Sequence, residues 1–177
     1  MSDKARTAWH LLAAIGWVER ALCVVALMVV VLVLFADVIS RELTSAGLYW
    51  APRVGVWANV LVVMSGFGLA SAGGAHLRPR FADGWLPARW EPALITLQHA
   101  LTALFCGAAA LLAGAVVAES RLLGEVSLDL FLPIWPIQLC LPLALLTASL
   151  RHTLYAVYPV LRPAEAGMFA PAAERSE

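Results

Sequence analysis

Apolar residues along this chain gather into four long, nearly unbroken runs. Polar residues are confined to the stretches between them and to the two ends. The runs cover about residues 21–40, 54–75, 92–118 and 131–158, and each is near or above the roughly 20 residues that a helix needs to cross a hydrocarbon core. Backbone groups facing lipid must find partners within their own segment, so helices are the expected form. The predicted fold is all-α: an integral membrane bundle of four transmembrane helices with short interfacial segments. Residues 1–20 are expected to form a cytoplasmic or interfacial segment, residues 21–158 the membrane domain, and residues 159–177 a cytoplasmic tail. The first run continues into Asp37-Val38-Ile39-Ser40 with no small-x-small cleavage site before Arg41. It therefore reads as a retained span and not as a signal peptide.

Composition agrees with the pattern. The chain is 62% hydrophobic and 14% charged, with a mean hydropathy of +0.82, against about 25% charged residues in soluble domains. Its 177 residues carry a formal net charge of zero, so no basic field for nucleic acid is expected. Once four spans are drawn, no room is left for a soluble catalytic domain. Cys23, Cys106 and Cys140 all fall within apolar runs and match no zinc or disulfide spacing. Basic residues set the orientation. Lys4, Arg6, Arg20, Arg78, Arg80, Arg89, Arg151, Arg162 and Arg175 fall on one side, against Arg41, Arg53 and Arg121 on the other. The basic side is normally cytoplasmic, which places both termini there. Trp9, Trp17, Trp50, Trp85, Trp90 and Trp135 fall at or just outside span ends, where an amphipathic ring is best accommodated. Residues 8–18 read as an interfacial helix preceding the first span.

Few side chains within the runs offer chemistry. Gly55, Asn59, Gly66, Ala70 and Gly74 share one sector of the second span, and Ala100, Ala103, Gly107, Ala110 and Gly114 form a similar stripe on the third. Small residues let helix backbones approach closely in lipid. These stripes serve either packing among the four spans or docking onto a partner. Asp37 lies four residues before Arg41, a spacing that pairs the two near the interface. His99 and His152 are expected at similar depth on different helices, an arrangement that admits a b-type haem. Arg151 reads as a mark that the last span is ending. Pro142 should kink the last helix. No nucleophile–base pair, phosphate loop or metal cluster is present, so neither an enzyme activity nor a cofactor or metal is expected. No span holds the central carboxylates of a self-sufficient ion path.

Three blocks carry a resemblance to a known family. The first is Asp37-Val38-Ile39-Ser40-Arg41 followed by Leu48-Tyr49-Trp50-Ala51. The second is Ser65-Gly66-Phe67-Gly68, then Gly74-Ala75-His76-Leu77-Arg78, Phe81 and Trp85-Leu86-Pro87. The third is Ser127, Leu132-Pro133-Ile134-Trp135 and Leu141-Pro142. Together, and in this order, they resemble the small membrane subunit (DctQ-type, Q component) of tripartite ATP-independent periplasmic (TRAP) transporters. The resemblance marks Asp37, Arg41, Trp50, His76, Arg78, Pro133, Trp135 and Pro142 as structural positions. It also implies an accessory scaffold beside a large DctM-type membrane subunit, which imports organic acids captured by a periplasmic solute-binding protein. The chain departs from the family at Pro52-Arg53, where acidic residues are usual. The alternative from a different class is a haem b-binding membrane anchor of an oxidoreductase, with His99 and His152 as ligands. A four-span scaffold for an unrelated complex is a third reading.

Overall fold

Helix ends along this chain are written by short local signals. A computed structural model describes residues 3–73 and 90–163. Helix α1 (Asp3–Thr44, 42 residues) has an acid in its first turn and Arg41 in its last, matching the helix dipole at both ends. It stops where Ser45 turns left-handed at φ 57°, with the Ser45 N–H donating to the Arg41 carbonyl at 2.9 Å, the bond of an αL cap. Helix α2 (Ala51–Ala72) opens with Pro52 in its first turn, where a missing N–H costs nothing. Helix α3 (Glu91–Leu123) closes on Gly124 at φ 64°. Gly124 and Glu125 donate back to the carbonyls of Arg121 and Ser120.

The fourth span is built from α4 (Trp135–Gln138) and α5 (Cys140–Val157), followed by one 3-10 turn at Pro159–Leu161. Regular helix lapses at Leu139, three residues before Pro142. Proline lacks the N–H that would bond to the Gln138 carbonyl, and its ring crowds that carbonyl. Residues 128–130 form a turn and 131–134 stay non-helical, with an isolated bridge between Val126 and Pro133, so helix starts later than the apolar run. Residues 8–18, expected as a separate interfacial piece, are the opening turns of α1. No proline interrupts them, and Gly16 stands alone among good helix formers. Four of the described helical segments are long and apolar enough to cross a membrane.

Packing pairs α1 with α2 and α3 with α5, and α2 meets α5 to join the pairs; α1 and α5 barely touch. What lies inside is small or polar. The buried apolar residues are mostly alanines, among them Ala26, Ala51, Ala58, Ala103, Ala110 and Ala148, whereas the largest fully buried side chains are Arg151, His152 and Ser71. Bulky residues such as Leu104, Phe105, Leu111 and Leu112 point outward. A water-soluble domain would hide them. In lipid they lie in a solvent as apolar as themselves, and close backbone approach and polar bonds hold the helices instead.

Candidate functional site

The largest cluster of interior polar side chains lies toward the end where α1 begins and α5 finishes. Arg151 of α5 is only 1% exposed and Glu19 of α1 8%. Arg151 Nη2 donates to Glu19 Oε2 at 2.7 Å, and its Nη1 donates to the Gly68 carbonyl of α2 at 2.5 Å. Thr147 Oγ1, one turn before Arg151, donates to Glu19 Oε1 at 3.3 Å. The carboxylate lies so close to the α2 backbone that a Cβ at Gly68 would overlap it. Here a glycine is required by space. Three helices are thus clasped by one guanidinium and one carboxylate, and the ion pair satisfies both charges where neither has water.

One residue on, His152 extends the cluster. Its Nε2 lies 3.1 Å from Ser71 Oγ on α2, and its Nδ1 lies 2.9 Å from His99 Nδ1 on α3. A bond between these two Nδ1 atoms needs one of them protonated and the other bare. The rings stack at 5.2 Å between centroids, with Tyr155 edge-on to both. Beyond α5 the chain folds back, and Arg162 donates to the Tyr155 carbonyl at 2.9 Å and to Thr96 Oγ1 on α3 at 2.8 Å. The cluster therefore engages all four spanning segments. Removing one partner of a buried ion pair costs about 3–5 kcal/mol, so the clasp holds the helices in one register.

A second set of bonds closes the opposite end. Asp37, 3% exposed, pairs with Arg41 and accepts from the Leu48 N–H at 2.7 Å. It thereby ties the end of α1 to the chain entering α2. A Cβ at Gly47 would lie 2.9 Å from Asp37 Oδ1 and 3.0 Å from Arg41 Nε. Arg53 pairs with Asp129 at 2.6 Å, both half exposed, bridging α2 to the α3–α4 connection. The departure at Pro52-Arg53 thus has an internal partner. Ser120 donates to Glu125 at 2.5 Å, and the Arg121 guanidinium lies 5.3 Å above the Trp135 ring.

The residues singled out from the sequence divide between inside and outside. Gly55 faces inward, where a Cβ would meet the Leu34 side chain of α1 at 3.1 Å. Asn59 and Ala70 are exposed, and nothing lies within 4 Å of a Cβ at Gly66, so these three point away from the rest of the chain. The buried stripe of α2 is instead Ala51, Gly55, Ala58, Ser65, Gly68 and Ser71. On α3, Ala103 and Ala110 are buried, and a Cβ at Gly107 would meet Ser149 of α5 at 3.2 Å. Trp50 precedes α2 and Trp135 opens α4. Pro133 sits in the bridge to Val126, and Pro142 lies in the first turn of α5. Gly74, His76 and Arg78 fall outside the described residues.

His99 and His152 do share a depth, but they pair with each other. A bis-histidine haem needs the macrocycle between two separated ring nitrogens, and the 2.9 Å contact leaves no gap for one. Among the described residues, no group of three or more His, Cys, Asp or Glu comes together to hold a metal. Arg151, assigned from sequence to the basic surface, lies instead in the interior. Glu19, Arg151, Gly68 and Ser71 were not singled out as a site. The available signal was an acid at the edge of the first apolar run and a base inside the last, and an ionisable residue inside a span marks a functional group by default.

Comparison with curated proteins and with solved structures finds no match. The family model for "Tripartite ATP-independent periplasmic transporters, DctQ component" matches residues 30–162. That stretch holds α2 to α5 whole, the second half of the first span, and every named member of the cluster except Glu19. A multi-pass membrane bundle, closed by internal polar clasps and matched over most of its length, belongs to the DctQ component family of TRAP transporters.

Proposed function

We propose that the chain is the small scaffold subunit of a TRAP-type secondary transporter that imports carboxylate-bearing solutes. On this reading it works beside a large DctM-type membrane subunit fed by a periplasmic solute-binding protein. It sits in the bacterial inner membrane with both termini in the cytoplasm, as the excess of basic residues on that side favours. One observation carries the scaffold role. The buried charged side chains Glu19, Asp37 and Arg151 are each bonded within this chain, and bonds of that kind fix helices in place. A bundle locked in this way suits the static part of a transporter, against which a moving partner can work.

The outward face of α2 is the docking surface in this reading. Gly66 and Ala70 allow a partner helix to come close, and Asn59 offers it a polar contact within the bilayer. The test is co-purification of the two membrane subunits together with solute uptake after joint reconstitution. Gly66→Leu should leave the isolated chain folded and weaken assembly and uptake. Gly55→Leu should disturb the chain's own α1–α2 packing, because its side chain runs into Leu34. Full assembly and uptake in Gly66→Leu would rule out this face. Uptake that persists without the chain would rule out the function.

A further inference from the structure

Because α1 and α5 hardly touch, a crevice of about 430 Å³ opens between them, with α2 as its floor. Its walls are hydrocarbon: Ile15, Val18 and Leu22 on α1, Leu61 on α2, and Leu143 and Ala144 on α5. The polar atoms it reaches at Glu19 and Thr147 are already bonded to Arg151 and to each other. The crevice therefore offers no unsatisfied charge to a polar guest. An acyl chain complements such a wall. A methylene displaces about the volume of a water, roughly 30 Å³, so the space holds at least one chain of ordinary length. At one end the α1 wall continues along the same helical face, through Leu11 to Lys4 at spacings of four and seven residues. Lys4 is exposed and has no ion-pair partner among the described residues. It lies on the side where a lipid headgroup would emerge.

From these features we infer that the crevice between α1 and α5 is a phospholipid site, which takes one acyl chain against Val18, Leu22 and Ala144 and directs the phosphate toward Lys4. The inference needs only a bilayer around the helices and stands whether or not the transporter reading holds. The occupied crevice would join α1 to α5 beyond the few bonds that Glu19 makes to Thr147 and Arg151, completing the bundle with lipid.

The full chain, extracted in mild detergent, is stripped of lipid. It is then titrated with phosphatidylglycerol or with a diacylglycerol of the same acyl chains, and bound lipid is counted by native mass spectrometry. Wild type should retain one phosphatidylglycerol. Ala144→Phe should bind it at least about tenfold more weakly. Val18→Trp, which fills the crevice from the opposite wall at a half-exposed position, should do the same if Ala144→Phe fails to fold. Lys4→Gln should weaken phosphatidylglycerol about fivefold, the effect of one basic residue beside an anionic headgroup, and leave diacylglycerol unchanged. Ala108→Phe, in the separate groove between α3 and α5, should retain the lipid. Undiminished binding in both crevice-filling variants would overturn the proposal, and so would equal loss in Ala108→Phe. Specific crosslinking of Cys140, which also lines the crevice, to a membrane segment of a partner subunit would assign the space to protein and refute the lipid.

Discussion

Arg151→Met isolates the energetics of the buried clasp. The substitution keeps most of the side-chain volume and removes both guanidinium bonds, the 2.7 Å contact to Glu19 and the 2.5 Å contact to Gly68. Glu19 then keeps only the longer bond from Thr147, beside a crevice walled by hydrocarbon that offers it no replacement partner. Removing one member of a buried pair costs about 3–5 kcal/mol. Glu19→Met should cost a similar amount, because it strands the guanidinium. The double variant Glu19→Met with Arg151→Met leaves no buried charge, and such replacements are often neutral or stabilising. Its net cost should be about 1 kcal/mol, the worth of the hydrogen bond to the Gly68 carbonyl. The coupling between the two sites should therefore reach about 5 kcal/mol, more than a thousandfold in the folding equilibrium. Unfolding by dodecyl sulfate in mixed micelles, followed by helical circular dichroism, gives all four corners of the cycle. The reasoning fails if Arg151→Met unfolds with the wild type, or if the double variant loses as much as the two single variants combined.

Gly68→Ala places a methyl group against the Glu19 carboxylate and should destabilise by about 1–3 kcal/mol in the same assay. The penalty should largely vanish in a Glu19→Ala background, whereas an unchanged penalty would locate its origin elsewhere. Asp37→Ala removes the acceptor for the Leu48 N–H and the partner of Arg41. A cost of about 1–3 kcal/mol and faster proteolysis between α1 and α2 are expected. Arg53→Ala breaks a pair whose members are both 44% exposed, so its unfolding midpoint should shift by no more than about 1 kcal/mol. A large shift would mean that this bridge is dry in the membrane.

Much of the frame is legible because lipid imposes a simple grammar. Continuous apolar runs of spanning length become helices, since no other form pairs its backbone in hydrocarbon. Gly124 closes α3 where only local sequence is needed to predict a left-handed cap. Even so, helix bounds and span bounds are set by different causes. The membrane sets the thickness of an apolar run, whereas caps decide where hydrogen bonding stops. Helix α1 therefore runs from Asp3 without a break. The small-residue stripe of α2 was legible only as a composition. Two glycines two positions apart, Gly66 and Gly68, point to opposite fates, the first outward and the second against a carboxylate. Helical periodicity sets residues two apart on nearly opposite sides, but it cannot say which side the neighbouring helix crosses.

By itself the amino-acid sequence determines that this chain is a four-span helical membrane protein of the DctQ family, because hydropathy, caps and motif order are local properties. Tertiary structure alone decided that Glu19 and Arg151 are partners. They are 132 positions apart, each at the edge of an apolar run, and each alone resembles a charge resting at the membrane surface. Only the crossing of α1, α2 and α5 removes both from water, and once dry neither charge is stable without the other.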